Sequence, residues 1–161
     1  MPLFTKKPPD LRSDEEKNKE LIDQFPFLLP KSMYTNRPPD GYDYSYTVLD
    51  WMPAGWKKKF GVKMCKDIMK SLESNRCVDR FQIEDIKEKY GELRVYTYGS
   101  TMEIEGKILP KYTGISQRIC GICGEPATKI SIGWIFPLCD KCANSSKPNS
   151  YVDIDYYYGE N

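Results

Sequence analysis

Residues 119–143 read ICGICGEPATKISIGWIFPLCDKCA and carry two Cys-x-x-Cys turns. Fifteen residues separate the first turn from the second. Two turns at this spacing let four thiolates converge on one tetrahedral metal ion, with Zn–S distances of about 2.3 Å, as in a zinc ribbon. Gly124, directly after the first turn, allows the backbone to bend tightly around the metal. The sequence therefore predicts a structural Zn²⁺ site with the ligands Cys120, Cys123, Cys139 and Cys142.

The segment between the two turns predicts a short hairpin over residues 127–138, with Gly133 at its bend and Trp134 packed on the zinc side. Four cysteines close the coordination shell, whereas a catalytic zinc keeps one position open. A redox dithiol is the rival interpretation, and the pairing of two turns at ribbon spacing favours metal. Cys65 and Cys77 have no nearby partner in the sequence and are predicted to be free thiols.

Composition limits the function classes. The 161 residues contain no histidine, which removes the commonest general base and the commonest ligand of catalytic zinc, so we expect no enzyme. The net charge of +1 gives no global field for nucleic acid or membrane. Without a signal-like or membrane-spanning apolar run, we expect a cytoplasmic protein with no membrane partner and with reduced cysteines.

The N-terminal part predicts a flexible arm over 1–12 and then a helix over about 14–24. Ser13 and Glu16 form a capping box at its start, and Pro26 ends it. The apolar residues 25–30 predict an extended segment packed on the core, with a partner-docking peptide as the alternative. Tyrosines alternate over 42–46, which predicts three rings on one side of an extended strand; they are Tyr42, Tyr44 and Tyr46.

A main helix is predicted over about 54–74, after a second capping box over residues 47–50. Its apolar side includes Trp56, Phe60, Met64, Ile68 and Leu72. Four lysines occupy its other side at spacings i, i+4, i+7 and i+11, within a narrow arc of the helix. We call them the lysine stripe: Lys59, Lys63, Lys66 and Lys70.

Strand-forming residues dominate 80–98 and predict a hairpin with its turn at residues 89–92, although the first arm also suits a helix. Residues 99–107 predict a loop or a short strand, and 108–118 a weak helical connection containing Pro110 and Gly114. We expect an α+β fold, with N-terminal helices packed on a small antiparallel hairpin and a C-terminal four-cysteine zinc ribbon. The predicted divisions are an α+β domain over 13–118, the ribbon over 119–143 and a polar, acidic, tyrosine-rich tail over 144–161.

Several motifs resemble an uncharacterised family of small proteins from bacteriophages, prophages and bacterial genomes. The motifs are YDYSYT at 42–47, LD at 49–50, MPxGW at 52–56, IKEKYGxLR at 86–94, CxxCGxP at 120–126, GW at 133–134 and CDxCA at 139–143. The match covers residues 25–143. Family members often carry a longer helix before the cysteine module, which Pro110 and Gly114 interrupt here. The resemblance implies a phage-borne accessory protein that counters host defence or redirects host machinery in the bacterial cytoplasm.

The first functional hypothesis is a non-catalytic, zinc-stabilised binding protein that inhibits a host protein or sequesters a nucleotide signal. Ammonium groups would meet phosphate or acidic side chains, and aromatic rings would meet a base. The candidate binding residues are Tyr42, Tyr44, Tyr46, Trp56, Lys59, Lys63, Lys66, Lys70 and Arg94. The alternative to a binding role is that the lysines form an ordinary solvated helix face and that the tyrosines pack on a strand.

Two other function classes remain open. Zinc ribbons often serve nucleic-acid binding, and a lysine helix face can follow phosphates, although the near-neutral charge and acidic tail disfavour it. A small histidine-free enzyme would use carboxylates of the 80–98 segment together with its basic residues. Charges alternating along an exposed strand explain that pattern without catalysis. These residues are Glu84, Asp85, Glu88, Glu92, Lys87, Lys89 and Arg94.

Overall fold

The computed structural model describes residues 9–146 and 150–159. Helices and two small antiparallel sheets build this part of the chain, so the α+β class is confirmed. The arm predicted over 1–12 lies largely outside the described residues, as do 147–149 and 160–161 of the predicted tail. Within the described ranges, no helix has the length and apolar character needed to cross a lipid bilayer.

Helix α1 spans Asp14–Gln24 and begins at the predicted capping box. The Glu16 N–H donates to Ser13 Oγ (3.2 Å), and the Ser13 N–H donates to Glu16 Oε2 (2.8 Å). A single 3₁₀ turn, Pro26–Leu28, follows where extended chain is predicted. The packing of this segment on the core is confirmed, because the buried side chains include Phe25, Phe27 and Leu28.

The tyrosines of residues 42–46 do not lie on a strand, so that prediction is wrong. Tyr44 has φ = 64°, a left-handed conformation that breaks the alternation of side chains. The rings still cluster, because the Tyr42 centroid lies 5.1 Å from that of Tyr44 and 5.4 Å from that of Tyr46. The predicted second capping box is confirmed and opens a 3₁₀ helix, Val48–Trp51.

One continuous helix runs over 54–74, as predicted. It consists of a short α-helical turn α2 (Ala54–Trp56), a π-helical turn (Lys57–Gly61) and helix α3 (Val62–Ser74). The predicted apolar side faces the core, where six of its side chains are almost fully enclosed. They are Trp56, Phe60, Met64, Cys65, Ile68 and Leu72.

Strands β1 (Gln82–Lys89) and β2 (Glu92–Tyr98) pair antiparallel, so the hairpin is confirmed and its first arm is a strand. Tyr90 and Gly91 form the two-residue loop with φ of 54° and 81°. Positive φ at both positions is the geometry of a type I′ turn, whose twist matches that of the strands. The side chains of the hairpin that are buried in the core are Ile83 and Ile86 of β1 and Leu93 of β2.

A second continuous helix runs over 102–116, where the sequence predicts a loop or strand for 99–107. A π-helical turn (Ile104–Ile108) leads directly into helix α4 (Leu109–Ser116). Pro110 cannot donate to the Gly106 carbonyl, and the wider π-helical turn before it lets the chain remain helical. The loop prediction is wrong because burial of Ile104, Leu109 and Tyr112 outweighs the low helix propensity of this segment.

The C-terminal sheet contains the predicted hairpin and one further strand. Strands β3 (Lys129–Ser131) and β4 (Phe136–Leu138) pair antiparallel, and Gly133 in the bend has φ = 94°. Strand β5 (Tyr151–Asp153) adds to the other edge of β3, giving the order β4-β3-β5. Helix α5 (Asp140–Ser146) starts within the second cysteine turn, and α6 (Ile154–Tyr158) follows β5.

A serine side chain at the end of α4 hydrogen-bonds the backbone of β2. The Leu93 N–H donates to Ser116 Oγ (2.8 Å), and the Ser116 hydroxyl donates to the Thr113 carbonyl (2.6 Å). Ser116 is fully buried, so its removal leaves a buried N–H without a partner. We expect Ser116→Ala to destabilise the protein by about 1–3 kcal/mol, measured by urea unfolding. Ser150→Ala, at an exposed serine, is the matched control and should unfold like the wild type.

Candidate metal centre

The four predicted ligand cysteines converge on one point. Their sulfur atoms all lie within 4.8 Å of one another, and Cys123 Sγ lies 3.6 Å from Cys139 Sγ. Sulfurs at the corners of a tetrahedron with Zn–S of about 2.3 Å are separated by about 3.8 Å. Two ligands are buried and two are half-buried. The residues present therefore fit a metal ion held by four thiolates.

Backbone N–H groups point at the sulfurs of both turns. The Cys142 N–H lies 3.4 Å from Cys139 Sγ, and a hydrogen bond from the Glu125 backbone lowers the pKa of Cys123 to about 7. Burial raises the pKa of Cys139, and burial raises that of Cys142 to about 12. Four clustered thiols do not ionise together unless a cation compensates them, so this donor set suits a soft divalent ion such as Zn²⁺.

The first cysteine turn docks against the start of the 54–74 helix. The Gly55 N–H donates to the Gly121 carbonyl (2.9 Å). A Cβ on Gly55 would overlap the Cys120 carbonyl oxygen and would lie 2.6 Å from the Gly124 nitrogen. The backbones of the helix and the metal turn are therefore too close for any side chain at Gly55.

Trp56 belongs to the same contact and not to a binding surface. It is fully buried, and its indole Nε1–H donates to the Ile119 carbonyl (2.9 Å). Its ring stacks on Phe136 of β4 with centroids 6.2 Å apart. The prediction of Trp56 as a binding residue is wrong, because helix and ribbon together enclose it. The apolar periodicity of the helix already pointed to this burial, whereas nothing local identified the ribbon as the enclosing element.

The lysine stripe is exposed, as predicted. Among residues 9–146 and 150–159, none of its four ammonium groups lies at ion-pair distance from a carboxylate, unlike Lys57, which pairs with Asp50. Lys59 lies in the π-helical turn, and its Cβ lies 3.5 Å from where a Cβ on Gly124 would be. The stripe therefore begins beside the metal turn and continues along α3 to Lys70.

One carboxylate lies near the stripe but is already occupied. Asp67 Oδ2 accepts hydrogen bonds from the Tyr112 hydroxyl (2.7 Å) and from Lys111 Nζ (2.9 Å) of α4. These two donors, the tyrosine first, lower the pKa of Asp67, which keeps it ionised. Lys111 therefore offsets the charge of Asp67, and the stripe retains its positive charge.

The other predicted binding residues are separated from one another. Tyr42, Tyr44 and Tyr46 are half-buried beside α1, where the Tyr42 hydroxyl donates to the Tyr46 carbonyl and Asn18 Nδ2 donates to the Tyr44 carbonyl. Arg94 is exposed on β2 and pairs with Glu92 on the same strand. Among residues 9–146 and 150–159, none of these tyrosine rings makes a cation–π contact with a stripe lysine, which the nucleotide hypothesis would favour.

Three of the four candidate carboxylates of the hairpin have local partners. Glu88 Oε1 accepts from the Gly91 N–H in the turn (2.7 Å), and Asp85 pairs with Lys87. Glu92 accepts from Gln117 Nε2 (2.7 Å) in addition to its pair with Arg94. These contacts hold the hairpin and its neighbouring helix end together.

Sequence reasoning missed three positions at the docking contact: Gly55, Gly121 and Phe136. A Cβ on Gly121 would overlap the Phe136 ring, so both glycines serve close packing. It also missed a groove of about 1360 Å³ beside Cys77, between the Pro26–Leu28 turn and the open end of the hairpin, which Glu84 lines. The docking contact and the groove both form between segments that are distant in sequence, so no local sequence pattern predicts them.

Cys65 and Cys77 are buried and form no disulfide, in agreement with the free-thiol prediction. Burial raises the pKa of Cys65 to about 12, so it remains a protonated thiol inside the main core.

Comparisons of the chain with models of known protein families, with curated proteins and with solved structures find no match.

Proposed function

We propose that this protein is a non-catalytic binding protein, that one structural Zn²⁺ ion holds its C-terminal part, and that its lysine stripe contacts an acidic face of a partner protein. The observation that carries the proposal is a row of four exposed ammonium groups, without carboxylate partners in the described part of the chain, on a helix of the main core. Such a row on a rigid element is suited to electrostatic complementarity with a partner.

The length of the stripe favours a protein over a nucleic acid. Lys59 and Lys70 are separated by eleven positions, or about 16 Å of helix, which reaches few phosphates. The net charge of +1 provides no wider positive field around the row. A compact acidic patch on a protein requires neither a long track nor a global charge, so it is the better match.

The bacteriophage resemblance supports a more specific role. We propose that the protein is a phage-borne accessory, and that its partner is a host protein engaged in the bacterial cytoplasm during defence or takeover. Four features support action without catalysis. They are the absence of histidine, the closed thiolate shell, the local pairing of Asp85, Glu88 and Glu92 in the hairpin and the burial of Trp56.

Charge reversal tests this proposal. We expect the variant with Lys59, Lys63, Lys66 and Lys70 changed to Glu to lose at least about tenfold in affinity for a partner isolated with the wild type, equivalent to about 1.4 kcal/mol. The loss should appear mainly in the association rate and should shrink as salt increases, because long-range attraction is screened. Titration calorimetry and stopped-flow binding measure both quantities.

A matched control changes the same net charge elsewhere. Lys19, Arg37, Lys89 and Lys107 are exposed and lie outside the stripe, so their replacement by Glu should leave partner binding near the wild-type value. Equal losses in both variants would contradict a localised surface. A salt-sensitive gel shift with DNA or RNA that only the stripe variant abolishes would instead identify a nucleic-acid ligand.

A further inference from the structure

An open groove lies at the end of the β1–β2 hairpin that is remote from its turn. Its volume is about 1360 Å³, above the range of roughly 300–1,000 Å³ that is typical of small-molecule pockets. Three segments enclose it, namely residues 26–36, residues 75–84 and residues 98–103. All of its lining residues belong to the described ranges. The groove therefore has room for an elongated ligand.

The base of the groove is apolar. Phe27, Cys77 and Phe81 line it and are only 4%, 8% and 6% exposed. The Phe27 and Phe81 rings meet edge to face, with their centroids 5.2 Å apart. The half-buried residues Leu29 and Val78 belong to the same lining. An apolar side chain placed on this base would be removed from water without displacing a charged group.

The rim of the groove carries charges of both signs. Four charged lining residues form no ion pair with any other residue of the described part of the chain: Lys31, Asp79, Arg80 and Glu84. Glu103 also lines the groove, and its carboxylate accepts a hydrogen bond from the Ser71 hydroxyl (2.7 Å). Three carboxylates against two cations disfavour a phosphate or another polyanion as the ligand.

Neutral hydrogen-bonding groups of the lining also lack partners. The side-chain amides of Asn36 and Gln82 make no hydrogen bond within residues 9–146 and 150–159. Ser100 Oγ is buried and has no hydrogen-bond partner among the described residues. A buried hydroxyl without a partner is unusual in a folded protein, and a polar group of a ligand would supply the missing partner. Because an amide both donates and accepts, as a peptide group does, this lining suits a polypeptide backbone.

We propose that this groove binds an extended peptide segment of a partner protein, with an apolar side chain on the Phe27–Phe81 base and charged side chains paired with the rim. A peptide brings the required groups together, because its backbone serves the free amides and its side chains supply apolar surface and both charges. A polyphosphate would meet three carboxylates, and an acyl chain would leave the amides without partners. None of the stripe lysines lines the groove, so the inference goes beyond the proposed function.

Titration of the full-length, metal-loaded protein with a defined peptide library tests the proposal. The probes are N-acetylated, C-amidated pentapeptides with Phe, Leu, Met or Ser at the centre, flanked by Lys on one side and Glu on the other, in both orders. We expect a peptide with a central apolar residue to shift the backbone amide NMR signals of residues 77–84 and 98–103. It should bind at least about tenfold more tightly than the same peptide with a central Ser, because the Ser peptide buries no large apolar side chain.

Charge reversal at the rim distinguishes recognition from nonspecific apolar binding. Arg80→Glu and Glu84→Lys should each weaken the best peptide by about three- to tenfold, because attraction between exposed charges becomes repulsion. Changing the Glu of that peptide to Lys should restore its binding to Arg80→Glu, which a merely structural effect of the substitution would not do. Lys107→Glu is the matched control, since Lys107 is exposed and does not line the groove. Circular dichroism and zinc content verify that each variant is folded.

The proposal is overturned if no library peptide shifts the groove amides at millimolar concentration. Equal affinity for peptides with central Phe and central Ser also overturns it, because the apolar base then contributes nothing. Binding that neither Arg80→Glu nor Glu84→Lys weakens, or that shifts amides of residues 119–143 in place of those of the groove, has the same consequence. Shifts of the groove amides by ATP, without any by peptides, would assign the groove to a nucleotide and equally overturn the proposal.

Discussion

Cys139→Ser is expected to abolish stoichiometric metal binding and to unfold the ribbon. The small ribbon cluster contains two of the ligand cysteines together with Leu138 and Ala143, so the segment has almost no apolar core without its metal. Metal binding by such sites supplies about 10–16 kcal/mol of folding free energy in small peptides. A serine hydroxyl does not replace the thiolate, and we expect several kcal/mol of that stabilisation to be lost.

Metal analysis and backbone amide NMR together measure this result. The variant should contain far less than one zinc per chain, and amides of residues 119–143 should lose their dispersion. The main cluster is separate from that of the ribbon, so amides of α1, α3 and the β1–β2 hairpin should stay dispersed. Cys77→Ser, at a buried thiol outside the metal cluster, is the control and should retain one zinc. Full zinc occupancy with a wild-type melting temperature in Cys139→Ser would exclude the assigned ligand set.

Gly55→Ala is expected to destabilise the protein by about 3 kcal/mol, the upper range for overpacking. Helix propensity alone predicts the opposite sign, because alanine in a helix is favoured over glycine by about 1 kcal/mol. The added methyl group would overlap the backbone of Cys120 and Gly124, and neither can move without disturbing a metal ligand. The hydrogen bond from Gly55 to Gly121 would be lost as the surfaces separate.

Gly61→Ala in the same helix provides the comparison. Its added Cβ would meet side chains of Leu49 and Lys57 at 3.6 Å, an ordinary van der Waals distance. We therefore expect a neutral effect or a gain of up to about 1 kcal/mol. Chemical denaturation of both variants, followed by intrinsic tryptophan fluorescence and circular dichroism, distinguishes the two outcomes. Equal effects at Gly55 and Gly61 would contradict the close approach of the metal turn.

Features that depend on neighbouring residues were predictable from the sequence. The capping boxes at Ser13 and Thr47, the bounds of the 54–74 helix and the hairpin turn at Gly91 each follow from local chemistry. The convergence of the four cysteines followed as well, because two short turns at a fixed spacing leave few other arrangements. Helix α4 agrees with the helical connection predicted over 108–118. The earlier part of that helix, residues 102–108, was not predictable, because its propensity is weak and its burial, as at Ile104, depends on distant segments.

The sequence by itself determined the four-cysteine cluster, the α+β class and the exposure of the lysine stripe, because cysteine spacing and helical periodicity act over a few residues. Only the tertiary structure decided that Trp56 is enclosed by the ribbon while Trp134 is exposed at its bend. Helical periodicity places Trp56 on the apolar side of its helix, but no local pattern shows that the ribbon encloses it or that Trp134 is exposed. Which of the two is buried depends on where the metal turn docks, at Gly55, and that contact joins segments more than sixty residues apart.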